Sequence, residues 1–196
     1  MAKKLTFVLI CLFGLLTVAA CNSAGRVDVP TPAPSSTPQN KTLPTPMSPS
    51  QTVVYDNLQA AMTEAEITSS YLTEYGSERE PPAGKNIIWV HIHLKNISQG
   101  ERNLPTPEHF SVLNGATEFK ATYGHRKDYT DYMALTPILV RGQEVDAWLR
   151  FDIPAKAELQ DLWFAFLPES SQVSFGFSSS DYFWADHPIY LWNCAP

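Results

Sequence analysis

The most restrictive pattern in the chain lies at 144–154, where Val145, Ala147, Leu149, Phe151 and Ile153 alternate unbroken with Asp146, Trp148, Arg150 and Asp152. A period of two puts one set on each side of a strand, whereas a helix would scatter the apolar residues around its circumference. Arg141-Gly142 opens this strand and Pro154 closes it. The same period recurs at 87–96, with Ile88, Val90, Ile92 and Leu94 pointing one way and Trp89, His91, His93 and Lys95 the other, toward water. Leu58, Ala60 and Met62 also alternate, and Ala65 and Ile67 then resume out of phase, as across a β-bulge. Phe110 and Val112 lead into Asn114-Gly115, and Thr117, Phe119 and Ala121 lead out. Asn-Gly between alternating runs predicts a type I′ hairpin, because both central residues of that turn need positive φ. Further strands are predicted around Leu162, Phe164 and Phe166, around Val173, Phe175 and Phe177, and at 189–192. No ten-residue segment carries a helical stripe, and the strands are too closely spaced for crossover helices. The expectation is an all-β, antiparallel sandwich with one buried face per sheet.

The first twenty residues have a different character. Lys3 and Lys4 precede an uncharged apolar run from 5 to 20 that is interrupted by Thr6, Gly14 and Thr17. It is shorter than the ~20 apolar residues that span a bilayer as a helix. Charge, apolar run and small residues in that order describe an export signal. The run ends in Val18-Ala19-Ala20-Cys21, which resembles the lipobox of bacterial lipoproteins. That resemblance implies a diacylglyceryl group on the Cys21 sulfur and cleavage before it. The alternative is an ordinary signal peptide cut near Ala20. Two or more acyl chains, at ~0.8 kcal/mol per buried methylene, would anchor the protein stably.

Between 22 and 50 lie seven of the sixteen prolines, mixed with Ser and Thr and without one aromatic residue. Such a composition cannot bury enough apolar surface to offset ordering it, and its prolines favour polyproline II. A disordered tether is expected there, reaching between ~30 Å as a coil and ~90 Å as a rod. The predicted organisation is a signal peptide at 1–20, lipidated Cys21 and linker at 21–50, and a sandwich domain at 51–196. A domain of that size buries roughly two-thirds of its unfolded surface without disulfides or metal. The sequons Asn40-Lys41-Thr42 and Asn96-Ile97-Ser98 are read as chance occurrences.

The succession WVHIHLKNIS, FSVLNGATEFKA and LVRGQEVDAWLRFDIP is similar to a domain-of-unknown-function family of immunoglobulin-like sandwiches found in bacterial lipoproteins, related to secreted immunogenic-protein-like domains. In that family a hydrophobic strand ends in an Asn that starts a turn, matched here by Asn96. Its Pro-Gly-x-x-x-x-G-x-x-x-F-x-x-Pro pattern is matched by Gly142, Phe151 and Pro154. Arg141 stands where the family usually has Pro, and Trp148 lies close to a frequent Gly. The resemblance spans roughly 52–170 and implies an immunoglobulin-like fold outside the cytoplasm, with no catalytic residues.

Candidates for chemistry are few. His91 and His93 lie ~6.6 Å apart on one strand face, within reach of a shared metal, but no third ligand is apparent and they read as surface histidines. His109, His125 and His187 stand alone. Glu64 and Glu66 have the spacing of glycosidase carboxylates but read as a solvated face. No GxSxG elbow or phosphate-cradling glycine loop occurs, and neither an enzyme nor a cofactor is expected. Cys194 would be the only thiol beside Cys21 once Cys11 departs with the signal, and it reads as buried rather than paired with another molecule.

Two segments offer recognition chemistry. TYGHRKDYTDYM at 122–133 sets Tyr123, Arg126, Tyr129 and Tyr132 among small polar residues, and the tail from 178 carries Trp184 beside Tyr182 and Phe183. Tyr, Trp and Arg give large contact area at low rotamer cost. Tyr123, Arg126, Tyr129, Tyr132 and Trp184 are therefore the candidate ligand-binding residues; the alternatives are a plain solvated loop at 122–133 and a tail whose aromatics close the bottom of the sandwich. Removing Lys3 and Lys4 leaves twelve basic against twenty acidic residues, a net of −8, which repels nucleic acid. The expectation is a binding module, anchored in the bacterial membrane through Cys21 and facing outward, at the cell surface or in the periplasm. Its partner would be an envelope protein, peptide or glycan. The alternative is an accessory or inhibitory subunit of an envelope enzyme or transporter.

Overall fold

The structure, a computed structural model, describes residues 44–169 and 187–196. The expected signal peptide, Cys21, most of the expected linker, the strand expected around Phe175 and Trp184 lie outside the described residues. In chain order the strands are β1 (Val53–Tyr55), β2 (Leu58–Thr68), β3 (Tyr71–Leu72), β4 (Glu78–Arg79), β5 (Lys85–Asn96), β6 (Arg102–Asn103), β7 (Phe110–Asn114), β8 (Thr117–Thr122), β9 (Ile138–Leu139), β10 (Glu144–Pro154), β11 (Leu162–Phe166) and β12 (Tyr190–Asn193). Three single 3₁₀ turns are the only helical elements among the described residues, and none of them is long and apolar enough to cross a membrane.

Eight strands are hydrogen-bonded in the order β1-β2-β5-β10-β8-β7-β11-β12, and every neighbouring pair is antiparallel. The two strands with the clearest alternation pair with each other: β5 and β10 share eleven register pairs, from Glu144↔Lys95 to Pro154↔Lys85. β8 pairs with β10 only at Arg150↔Thr122 and Phe151↔Ala121. There the ribbon folds over, so that Phe151 of β10 meets Phe164 of β11 at 6.2 Å and one core joins the two layers. The expected antiparallel sandwich is present.

Local chemistry explains the details. The phase break in β2 is a bulge at Thr63, because Met62 pairs with Ile92 and Glu64 with His91, and Ala65 and Ile67 thereby return to the core side. The β7–β8 hairpin is where Asn114-Gly115 predicts it, but shifted by one residue. Asn114 pairs with Thr117, so the loop is Gly115-Ala116, and only Gly115 has positive φ, at 55°. That is the type II′ pattern, which needs Gly at the first central position alone. The turn with both central residues at positive φ joins β1 to β2, at Asp56 (44°) and Asn57 (61°). Asn96 ends β5 fully buried, with Nδ2 donating to Gly100 O (2.7 Å) and Leu139 O (2.9 Å) and Oδ1 accepting from Ser98 N (2.9 Å). An amide so engaged is closed to glycosylation in the folded domain.

Two expectations need correction. The domain does not start at residue 51, since Met47 bridges to Trp192, donates to Leu191 O and accepts from Asn193 N, both at 2.8 Å. Nor does each sheet bury only one face. Leu113, Ala165, Leu167 and Leu191 form a second buried cluster on the other side of β7, β11 and β12, and Trp89, read as water-facing, is 1% exposed.

A candidate binding cleft

Trp89 is buried because other parts of the chain return over it. On the outer face of the first layer, register places Glu66, Trp89 and Arg150 in one row across β2, β5 and β10, and Glu64, His91 and Trp148 in the next. Side chains in such rows are direct neighbours, so the two tryptophans form an apolar patch on a face that would otherwise be solvated. Residues 122–131 cross it as a strap. Its backbone is held at its middle and near its far end: Lys127 N donates to Leu72 O (2.9 Å) and Trp148 N donates to Thr130 O (2.8 Å). Tyr129 stacks on Trp148 with centroids 3.8 Å apart and meets Trp89 edge-on at 5.5 Å. The Arg126 guanidinium lies 4.1 Å from the Tyr129 centroid and pairs with Glu66. Burial, with Glu66 next, pushes the Tyr129 phenol up, which keeps it neutral.

The second cover is the β3–β4 hairpin, with Tyr71↔Arg79 and Leu72↔Glu78 in register. Its turn is closed by Gly76 N to Thr73 O and Thr73 N to Ser77 O, both at 2.9 Å, with Gly76 at φ 76°. Tyr71 meets the edge of Trp89 at 5.2 Å, which docks the hairpin on the same patch.

Hairpin and strap leave a cleft of about 560 Å³ between them, the size of an ordinary ligand pocket. The hairpin contributes Tyr71, Thr73, Tyr75, Ser77 and Arg79, with Glu74 beside them. The strap contributes Tyr123 and His125, and Arg150 comes up from β10. Tyr75 and Tyr123 are 86% and 67% exposed. A hydrogen bond to Glu74 raises the Tyr75 phenol. Arg150 is held by Nη1 to Tyr123 O and Nη2 to Asp152 Oδ1, both at 2.7 Å, and its guanidinium faces the Tyr71 ring at 5.5 Å. Gly124 is buried where the strap crosses Arg150, and a Cβ there would lie 2.7 Å from Arg150 Cδ.

The sequence candidates therefore divide. Tyr123 lines the cleft. Arg126 and Tyr129 face inward and hold the strap down. Tyr132 is core: 4% exposed, edge-on to Phe110 at 5.4 Å, with its hydroxyl donating to Pro105 O at 2.6 Å. A side chain packed in this way is closed to a ligand, which corrects its assignment as a contact residue. Trp184 lies outside the described residues. Tyr71, Tyr75, Arg79 and Arg150 were not singled out from the sequence. The signal for the first three was YLTEYGSER itself, two tyrosines and an arginine around a Gly turn, and Arg150 stood only as an outward residue of β10.

Other groups of interest are structurally committed. Thr63 Oγ1 is 2.6 Å from His91 Nδ1, and His91 Nε2 is 4.0 Å from Asp146 Oδ1. The imidazole stacks on Trp148 at 4.7 Å, and burial lowers its pKa. His93 pairs with Asp146 at 3.0 Å. Among the described residues no group of three or more His, Cys, Asp or Glu side chains is placed to hold a metal ion. Cys194 is buried and free, with its thiol pushed up to about 12 by burial.

No family profile matches the chain, and no curated protein does. Among solved structures, the yjhA protein from Bacillus subtilis superimposes with a TM-score of 0.51 at 13% identity, over 74% of this chain and 97% of that one. A functionally unknown protein from Listeria monocytogenes gives 0.48 at 11% identity, over 75% and 83%. An uncharacterized β-sandwich protein from Clostridium difficile gives 0.42 at 11%, over 78% and 97%. At these identities the likeness is one of fold.

Proposed function

We propose that this protein is an extracytoplasmic, lipid-anchored binding module without catalytic activity, and that it recognises a component of the cell envelope through the cleft between the β3–β4 hairpin and the strap. The export signal and the lipobox-like Val18-Ala19-Ala20-Cys21 support the anchor, and the Pro-rich segment after it spaces the domain from the lipid. The observation that carries the binding reading is the opposite use of aromatic residues on the two covers. Tyr71 and Tyr129 are spent on packing, whereas Tyr75 and Tyr123 stand exposed on facing walls of one cleft. Large, rigid, amphipathic side chains held ready in a concave site are what recognition surfaces use.

The test is a photo-crosslinking side chain placed at Tyr75, at Tyr123 or, as a control, at Val54, exposed on β1. Irradiating intact cells should give adducts to a discrete envelope component from the two cleft positions and none from Val54. Equal labelling from all three positions, or none from either tyrosine, overturns the assignment.

A further inference from the structure

We propose that the cleft takes an acidic sugar, a pyranose bearing a carboxylate and presented as one unit of a polysaccharide. This rests on the cleft being the recognition site and narrows the ligand to a chemical class.

The lining selects the ligand first by what it lacks. No aliphatic side chain contributes to the walls; each lining residue is a phenol, an alcohol, an imidazole or a charged group. A peptide ligand would bury Leu, Val or Ile side chains and would want aliphatic pockets for them. The open apolar surface here consists of the exposed rings of Tyr75 and Tyr123. A pyranose presents axial C–H bonds to such rings and a girdle of hydroxyls to groups like Thr73 and Ser77.

Charge selects next. Arg150 is already engaged by Tyr123 O and Asp152, and Glu74, the one carboxylate of the lining, keeps its charge while it accepts from the Tyr75 phenol. Arg79 is exposed and forms no ion pair among the described residues. Arg79 is therefore the guanidinium of the cleft left open to an incoming anion, in a chain whose formal net charge is −6. A guanidinium fork matches a carboxylate in bidentate fashion and holds it more firmly than it holds a neutral hydroxyl.

Position joins the two. Tyr75 and Arg79 both come from the β3–β4 hairpin, the first from its turn and the second from β4, so an exposed ring and an unpaired cation line the same wall of the cleft. A uronic acid carries its carboxylate on the ring carbon, a few ångströms from the face that would rest on Tyr75. One residue pair thus reads both halves of the same monosaccharide.

The experiment titrates the full chain, purified in detergent, with acidic oligosaccharides (tri-galacturonate, an alginate trimer, a hyaluronan tetrasaccharide) and with neutral galactotriose and cellotriose. Heat of binding and two-dimensional NMR of the tyrosine rings are read together. At least one acid should bind about tenfold or more tightly than the neutral sugars and shift the Tyr75 and Tyr123 rings. Arg79→Gln should erase that preference, since a charge-assisted bond contributes on the order of tenfold. Raising salt from about 0.05 to about 0.5 M should weaken the acid alone. Equal binding of acids and neutral sugars overturns the role of Arg79 and leaves the cleft a binding site. If no sugar moves the cleft tyrosines but a crosslinked envelope protein protects them, the sugar class is wrong and the binding reading survives. Failure of every ligand and of the crosslinking overturns both.

Discussion

Replacing Gly124 by Ala probes the one place where the strap, the sheet and the cleft meet. Gly124 is buried, and its φ lies outside the left-handed region, so an Ala backbone fits and the consequence is steric. The new methyl would lie 2.7 Å from Arg150 Cδ, 3.1 Å from Nη1 and 3.2 Å from the Tyr71 hydroxyl. Carbon atoms do not approach to 2.7 Å, so Arg150 must move. It is not free to do so, because its two 2.7 Å bonds to Tyr123 O and Asp152 fix the guanidinium from both sides. Losing one such charge-assisted bond costs ~1.5–3 kcal/mol. Ala recovers ~0.4–1 kcal/mol by restricting the unfolded chain. The net expectation is a destabilisation of about 1–2 kcal/mol, a fall of roughly 2–8 °C in Tm for a domain of this size.

Urea unfolding followed by tryptophan fluorescence reads the cost, and a double-mutant cycle isolates its cause. In an Arg150→Met background the flexible thioether can yield, so Gly124→Ala should become neutral or slightly stabilising. An equal cost in both backgrounds, or no cost in the parent protein, would refute the view that the strap passes over Arg150 with no room for a side chain.

Two other perturbations test the frame. Asn96→Ala strips three hydrogen bonds from a buried turn and should cost about 3 kcal/mol. Asn96→Asp should cost at least as much, because a carboxylate oxygen would then face the Gly100 and Leu139 carbonyls; a tolerated Asp in urea titrations shows that the turn is not built this way. His91 has its pKa lowered from 6.5, chiefly by burial, against the opposing fields of Asp146 and Glu64. The unfolded chain therefore binds the proton more readily, and stability falls as pH drops through about 6.5 toward the folded value. His91→Phe should flatten the dependence of Tm on pH between about 5 and 7.5; an unchanged slope places the acid sensitivity elsewhere.

What the sequence disclosed follows the range over which its signals act. Alternation is local, so β5 and β10 were legible, and so was the break at Thr63, because a bulge writes itself as a slip of phase between Met62 and Ala65. Turn chemistry was legible to within a residue, since Asn114-Gly115 carries a positive-φ glycine whichever of the two residues opens the loop. Outward phase does not report what covers an outward face. Trp89 and Trp148 carried that information in their size: an aromatic residue at a solvent position on each of two paired strands leaves too much apolar surface bare. The cover is supplied by residues 122–131, far along the chain from Trp89, and by a hairpin of two register pairs, too short for any periodicity to appear. Tyr132 misled for a related reason. In composition it belongs with Tyr123 and Tyr129, but it follows Asp131, whose carboxylate caps the 3₁₀ turn at Met133 N, and that turn directs the phenol into the core.

The strap's sequence then has a physical order. Gly124, stripped of a side chain, lets the backbone ride over Arg150, and the residues on its two sides have opposite fates. Before it, Tyr123 lends its carbonyl to Arg150 and keeps its ring in solvent. After it, Arg126 and Tyr129 bury their faces on Trp89 and Trp148 and supply the apolar contact that holds the segment down. Because Arg150 carries one wall of the cleft through the Tyr123 carbonyl and faces the other through the Tyr71 ring, the two walls share one side chain as their support, and a substitution there acts on both.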